Sequence, residues 1–152
     1  MARLANELKI QITFVGAIGR KESRYVNQFL REVAKSDIVN YLGAKSHSES
    51  VEIMGRSRVL LNASYSEVLS LVEIEAAVQG KFIVSSEVGY SNEYITNGQF
   101  VTYPWNNLRV GLETASKLAN SEITQFNTLD IPFWSVVANR YSDMYRELFG
   151  RI

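Results

Sequence analysis

Short runs of apolar, β-branched residues alternate along the chain with longer segments in which apolar residues recur every three or four positions. The first run, residues 10–15, is rich in Ile, Thr, Phe and Val and ends at Gly16, which is typical of a buried strand followed by a turn. The next segment, residues 22–35, places its apolar side chains on one helical face. The pattern therefore predicts a strand followed by a helix.

The same alternation continues to the end of the chain. Further strands are predicted at 38–42, 58–63, 81–85 and 100–103, and further helices from Ser46 or Ser48 to about Gly55 and at 71–78, 92–96, 106–119 and 133–149. The last of these helices follows Pro132 and carries an aromatic stripe. We expect this stripe to pack in the core of the domain or against another domain. Strands that alternate with helices predict an α/β fold, a Rossmann-like doubly wound parallel sheet with helices on both faces.

Length and composition restrict the class of protein. The 152 residues predict a single domain spanning 1–152, and the absence of Cys excludes disulfides and thiolate metal sites. Sixteen basic residues balance 16 acidic ones, which argues against nucleic acid as the main partner. With a single His, at position 47, we expect no metal site. No apolar run approaches the roughly 20 residues of a membrane-spanning helix, and the N-terminus lacks a secretory signal. We expect a cytoplasmic protein.

Ligands bind in the loops after the strands in open parallel sheets. Of these loops, the one after residue 63 has the most candidate ligand-binding side chains. Glu67 lies in this loop and Glu75 lies in the predicted helix 71–78. Between them the helix N-terminus offers free amides to an anion, while carboxylates accept hydrogen bonds from diols. This arrangement suits a phosphorylated, hydroxyl-rich ligand. The alternative is that both glutamates are solvated or favour the helix start through its dipole.

Two segments resemble a known family. Residues 64–81 read SYSEVLSLVEIEAAVQGK, which resembles the central motif of the retaining glycosyltransferases of family four: Ser, two residues, Glu-Gly-Phe-Gly-Leu, three residues, Glu-Ala and a later Gly. Residues 84–100 are similar to the family's next segment, with Gly89, Glu93, Ile95 and Gly98 in place. The resemblance covers about residues 8–148. It corresponds to the C-terminal, nucleotide-sugar-binding half of a two-domain enzyme of GT-B fold.

The resemblance implies roles for four residues of the central motif. Glu75 would bind the ribose hydroxyls of the donor nucleotide, and Glu67, the catalytic candidate, would lie against the transferred sugar. Ser70 and Leu71 would present their amides to the diphosphate. The motif also departs from the family: Val68 and Ser70 stand where the family has glycines, which restricts how closely the backbone approaches the sugar.

Other loops complete the implied donor site. Gly16 would line its phosphate side, and Ala44 and Lys45, after the predicted second strand, would border the base. Family members also carry an Arg and a Lys after the domain's first strand that neutralise the diphosphate. We expect this chain to start beyond that point, and Arg20, Lys21 and Arg24 are poor substitutes by position.

The resemblance implies a function for the full-length enzyme. It would transfer a sugar, as a hexosyltransferase does, from a nucleotide diphosphate sugar to a glycan or lipid-linked acceptor with retention, in polysaccharide biosynthesis. Neither a metal nor another cofactor would be required. An N-terminal acceptor-binding domain would be the partner that closes the cleft, so we expect negligible transfer by this chain alone. Peripheral contact with a membrane surface is compatible with such a role.

Alternatives of other classes remain open. The first is a non-catalytic Rossmann-like binding or interaction domain that has lost donor binding; Val68 and Ser70 favour it, and the retained Glu67 and Glu75 oppose it. A half of a nucleotide-sugar epimerase is weaker, because that class relies on carboxylates and histidines not found here. The sequence from Gly16 to Gly19 lacks the third glycine of the dinucleotide fingerprint, which disfavours a nicotinamide site.

Overall fold

The computed structural model describes residues 1–19, 23–123, 126, 139 and 142–147. Its strands are β1 (Ile12–Phe14), β2 (Val39–Tyr41), β3 (Val59–Asn62), β4 (Phe82–Ser86) and β5 (Phe100–Tyr103). Its helices are α1 (Ala2–Leu8), α2 (Arg24–Val33), α3 (His47–Gly55), α4 (Leu71–Val78), α5 (Ser91–Tyr94) and α6 (Leu108–Ala119).

The predicted alternation of strands and helices is confirmed from residue 10 to residue 119. β1 is three residues shorter than the pattern indicated and β2 and β3 are each two residues shorter, whereas β4 and β5 have the predicted length and α4 has its predicted bounds. Helix α1 was not predicted, because the side chains it buries are the small Ala2 and Ala5, which give no strong apolar period. The predicted helix 133–149 falls mostly outside the described residues, and within it residues 142–147 are helical.

All strand pairing is parallel. β1 pairs with β2, with Ile12 opposite Val39, and β3, β4 and β5 form a second ladder in that order. Each connection between paired strands runs through a helix, as parallel pairing requires.

β4 shows how the helices are divided between the two faces of the sheet. Ile83 packs in one buried cluster with Ala76 and Ala77 of α4, and Val84 packs in another with Ala115 of α6. Consecutive side chains of a strand point to opposite faces. Helices α4 and α6 therefore cover opposite faces of the sheet.

Helices α1, α2 and α3 follow the same division. α1 packs on α2, and Glu7 of α1 forms an ion pair with Arg109 of α6 at 3.7 Å, so α1, α2 and α6 share one face. α3 packs against α4 on the other face. The sheet is thus covered on both sides, which confirms the doubly wound α/β fold.

The division of the helices fixes the order of the strands. Crossovers between parallel strands are right-handed, and the β1–β2 and β2–β3 crossovers use helices on opposite faces. β3 therefore lies on the β1 side of β2, so the two ladders follow one another in the order β2, β1 and then β3, β4, β5. The direction of winding reverses between β1 and β3. Such a reversal opens a crevice at the carboxyl ends of the strands, where ligands bind in this class of fold.

A close contact between α6 and β5 yields a test of this packing. Tyr103 is buried and its hydroxyl donates to the carbonyl oxygen of Asn62 at 3.2 Å; burial raises the pKa of this hydroxyl, which keeps it a donor. A Cβ atom at Gly111 would approach the Tyr103 ring to 2.8 Å.

We expect Gly111→Ala to lower the stability of the fold. In an open helix this change gains about 1 kcal/mol, but here the overpacking costs about 1–3 kcal/mol, so the melting temperature should fall by a few degrees. Lys117→Ala, at an exposed position of the same helix, should change stability by less than about 0.5 kcal/mol. A rise in melting temperature for Gly111→Ala would contradict the described packing.

Candidate functional site

The N-terminus of α4 lies at the carboxyl end of β3, beside the crevice. Ser70 is its N-cap residue, but the Ser70 side chain makes no capping hydrogen bond. The carbonyl of Ser70 accepts from the amides of Glu73 and Ile74. Among the described residues, no acceptor faces the amides of Leu71 and Val72. The start of α4 therefore presents unpaired N–H groups and the positive end of the helix dipole.

A buried carboxylate fixes this helix start against the sheet. Glu73 is 1% exposed, and its Oε1 accepts hydrogen bonds from Asn62 Nδ2 at 2.7 Å and Ser85 Oγ at 2.5 Å. Asn62 Oδ1 in turn accepts from the amide of Ser64 at 3.1 Å. The network joins β3, β4, α4 and the loop that follows β3.

Glu67 lies in that loop, partly buried. Its Oε1 accepts from Ser64 Oγ at 3.1 Å. Gly89, in the loop after β4, has φ +80°, and a Cβ atom there would lie 3.1 Å from both Glu67 Cβ and the carbonyl oxygen of Val68. The amide of Tyr90 donates to that carbonyl at 2.9 Å. The loop after β4 thus supports the backbone on which Glu67 is carried.

Glu75 lies one turn into α4 and faces the start of α3. Its side chain is 37% exposed, and its Oε1 lies 3.8 Å from Nδ1 of His47. His47 is the first residue of α3, whose start is held by a capping box in which Ser46 and Glu49 bond each other's backbone amides. The prediction that Ser46 or Ser48 caps this helix is confirmed for Ser46. The starts of α3 and α4 therefore meet at Glu75.

The residues predicted to border the base lie just before His47. Ala44 is exposed, and Lys45 forms an ion pair with Glu49 at 3.6 Å. The structure therefore brings the loop after β2 next to Glu75.

Gly16 follows β1, on the other side of the crevice from the β3–α4 loop. Its φ of +142° is a conformation that residues with a Cβ rarely adopt. Its amide donates to the carbonyl of Gly43 at 2.9 Å, and its own carbonyl accepts from the Tyr41 hydroxyl at 2.8 Å. These bonds tie the loop after β1 to the end of β2 and to the loop that follows it.

Val68 and Ser70, which stand where the family motif has glycines, do not strain the backbone. Lys9 is the only described non-glycine residue with a positive φ, so Val68 and Ser70 adopt ordinary conformations. Ser70 has φ −82° and ψ 109° and is buried, whereas the Val68 side chain is 74% exposed. A valine at position 68 adds apolar surface beside the helix start without distorting it.

Three features of the site were not predicted from the sequence. Glu73 shares a face with Ala76 and Ala77 at spacings of three and four residues, which is the signal that could have placed it in the core. His47, expected to be a surface cap residue, approaches Glu75. No sequence pattern indicates the edge-to-face contact of Tyr65 with Trp105, whose ring centroids are 6.1 Å apart.

The basic residues considered for the diphosphate are mostly outside the described part of the structure. Arg20 and Lys21 are not among the described residues, and Arg24 is exposed at the first position of α2. Within the described ranges, no group of three or more Asp, Glu or His side chains is placed to hold a metal ion. None of the described helices is both long enough and apolar enough to cross a membrane.

Comparison with known proteins assigns the family. The model of the family described as glycosyl transferases group 1 matches residues 1–118. The chain belongs to this family. The solved structure of a sucrose-phosphate synthase from Thermosynechococcus elongatus aligns with 99% of this chain at a TM-score of 0.61 and 22% identity. The group 1 chain spans 42% of the length of that structure. No curated protein sequence matches it significantly.

Glu73 is buried and Glu75 is partly exposed, and this difference can be tested by measuring the free energy of unfolding of variants at each position. Glu73→Ala leaves the buried donors of Asn62 and Ser85 without their acceptor, so we expect a loss of about 2 kcal/mol or more and a melting temperature lower by about 4–8 °C. Glu75→Ala removes a half-exposed side chain and should change stability by less than about 0.5 kcal/mol. Denaturant unfolding of both variants checks this, and equal stabilities would contradict the assignment of Glu73 to the buried network.

Proposed function

We propose that this group 1 glycosyltransferase domain binds a nucleotide diphosphate sugar and serves as the donor-binding half of a retaining glycosyltransferase. The observation that carries the proposal is the helix start at Ser70. Unpaired amides lie there at the crevice edge of the sheet, with Glu67 before them and Glu75 after them. An anion with attached hydroxyl groups is the ligand that this set of groups complements.

Glu75 is proposed to accept hydrogen bonds from the two ribose hydroxyls of the donor. Its 37% exposure leaves the carboxylate accessible, and the approach of His47 holds it toward α3 rather than toward the sheet. Ala44 and Lys45 are proposed to border the base, since they immediately precede the helix whose start contacts Glu75.

The diphosphate is proposed to lie at the start of α4. The amides of Ser70 and Leu71 would hold its oxygens, with Gly16 lining the opposite wall of the crevice. Because the negative charge on the leaving diphosphate grows as the bond to the sugar breaks, fixed N–H dipoles there lower the barrier. Glu67 would lie against the transferred sugar, which makes it the catalytic candidate.

The wider proposal concerns the reaction of the full-length enzyme. It transfers a hexosyl group with retention to a glycan or lipid-linked acceptor, in polysaccharide biosynthesis in the cytoplasm, with peripheral membrane contact where the acceptor is a lipid. A second, acceptor-binding domain closes the crevice. The leaving diphosphate is held by helix amides and basic groups, without a metal or another cofactor.

A second candidate function is a non-catalytic interaction domain of the same fold. The exposed Val68 side chain favours it, since apolar surface stands where the family motif has glycine. The geometry of the helix start opposes it, because Ser70 adopts an unstrained conformation and its side chain makes no capping hydrogen bond to the α4 amides.

Thermal shift separates these two functions. UDP, GDP, ADP and their sugar conjugates are each added at up to millimolar concentration. Ligand at 100 times its dissociation constant should stabilise the domain by about 2.7 kcal/mol, or about 5–10 °C. We expect one nucleotide to give a shift that Glu75→Ala abolishes. The matched control is Glu113→Ala, on α6 at the opposite face of the sheet, which should keep the full shift.

No shift with any nucleotide, or a shift that survives Glu75→Ala, would contradict the donor site and favour the interaction domain.

A further inference from the structure

Tyr65 and Trp105 form an exposed pair of aromatic rings at the carboxyl ends of the strands. Tyr65 lies in the loop after β3, and Trp105 lies in the loop after β5. Their ring centroids are 6.1 Å apart, and the ring planes are inclined by 71°. Tyr65 is 80% exposed and Trp105 is 56% exposed, so most of the surface of both rings is open to solvent. We call this pair the aromatic corner.

The backbone that carries Tyr65 is held by hydrogen bonds to two strands. The amide of the preceding residue, Ser64, donates to Asn62 Oδ1 at 3.1 Å, and the carbonyl oxygen of Ser64 accepts from Ser86 Oγ at 2.6 Å. These bonds fix the start of the loop to β3 and β4. Tyr65 is therefore carried on a held backbone, although its ring buries little surface.

Trp105 lies in a tight turn between β5 and α6. The amide of Asn107 donates to the carbonyl oxygen of Pro104 at 2.7 Å, which closes the turn. The Asn107 side chain also accepts from the amide of Val110, which ties the turn to the start of α6. Because both rings are carried on fixed backbone, a ligand that binds the aromatic corner does not have to order a loop first.

The exposure of the aromatic corner favours a binding role over a structural one. Hydrophobic stabilisation is proportional to the apolar area removed from water, and most of this pair remains in water. A single exposed aromatic residue is common on protein surfaces, and Tyr25 of α2, at 79% exposure, is an example. Two aromatic rings held in contact where ligands bind in this class of fold instead indicate a binding surface.

The charge around the aromatic corner restricts the class of ligand. The loops after β3, β4 and β5, residues 63–70, 87–90 and 104–107, contain two carboxylates, Glu67 and Glu87, and no Lys, Arg or His. A ligand with phosphate or uronic acid groups would find no basic side chain in these loops. Aromatic rings together with carboxylate, hydroxyl and amide side chains complement an uncharged molecule that is rich in hydroxyl groups.

The geometry of the pair suits a sugar ring. The C–H groups on one face of a pyranose carry a slight positive charge and the face of an aromatic ring is negative, so the two stack. Two rings inclined by 71° allow a sugar to stack on one ring while its edge contacts the other. The sugar hydroxyls then point outward along the plane of the sugar, where polar side chains can bond them.

We infer that the aromatic corner binds an uncharged pyranose unit of the acceptor glycan. Trp105 follows β5, so the corner lies on the side of Glu67 away from Gly16 and the crevice. Tyr65 and Glu67 belong to the same loop, in which Ser64 Oγ donates to Glu67 Oε1 at 3.1 Å. An acceptor held there reaches the transferred sugar from the side away from the nucleotide. The assignment of the bound sugar as the acceptor rests on the proposed function.

The test compares hexasaccharides that differ in charge. Maltohexaose and cellohexaose are neutral, a galacturonic acid hexamer is anionic and a glucosamine hexamer is cationic. Binding is measured by NMR from the backbone amides of Ser66 and Asn106 and from the indole N–H of Trp105. We expect at least one neutral hexasaccharide to bind with a dissociation constant of roughly 1 mM, and the anionic hexamer to cause no shifts.

Variants locate the bound sugar. Trp105→Ala and Tyr65→Ala should each weaken binding of the neutral hexasaccharide at least tenfold, and Trp105→Phe, which keeps an aromatic face, should weaken it less than Trp105→Ala. The matched control is Tyr25→Ala, at a tyrosine of equal exposure on α2, which should leave binding unchanged. Because the substituted side chains are exposed, the melting temperatures should change little.

Four results would overturn the inference: no binding of either neutral hexasaccharide at millimolar concentration, binding that survives both alanine variants, binding of the charged hexamers alone, or a dimer by light scattering that Trp105→Ala abolishes. In the last case a second copy of the chain occupies the aromatic corner.

Nucleotide thermal shifts on the same samples separate this inference from the proposed function. A nucleotide shift without binding of a neutral sugar refutes only the acceptor site. Sugar binding without a shift by any nucleotide contradicts the donor function, and the acceptor role of the aromatic corner falls with it.

Discussion

The burial of β4 between α4 and α6 is the constraint on which the rest of the structure depends. Ile83 and Val84 point to opposite faces and are fully buried, so both helices are fixed relative to the sheet. α4 must then begin where β3 ends. Its unpaired amides consequently lie at the carboxyl ends of the strands, beside the crevice that opens where the direction of winding reverses.

The geometry of α4 gives two nearby glutamates different roles. Glu73 and Glu75 are two residues apart, about 200° around the helix axis, so one faces the sheet while the other faces α3. Glu73 uses its carboxylate to hold Asn62 and Ser85, which makes it unsuitable for a ligand. Glu75 keeps an accessible carboxylate beside His47. One short segment thus supplies both a helix start that is held against the sheet and an accessible carboxylate.

The sequence predicted the doubly wound fold because strand and helix periods alternate clearly between residues 10 and 119. It did not predict α1, because the side chains that this helix buries, Ala2 and Ala5, are small and give no strong apolar period. The positions of Glu67 and Glu75 around the helix start were predictable from their spacing. The partnership of Glu75 with His47 was not, since it joins two crossover helices on one face of the sheet.

The central claim is that the start of α4 binds the diphosphate of a nucleotide sugar. The most direct measurement is an NMR titration of backbone amides with UDP, GDP and ADP in turn. If the diphosphate binds there, one nucleotide gives its largest shifts at Ser70 and Leu71, with smaller ones at Gly16. Shifts confined to the opposite edge of the sheet, around Arg58 and Lys81, or none with any nucleotide at millimolar concentration, would contradict it.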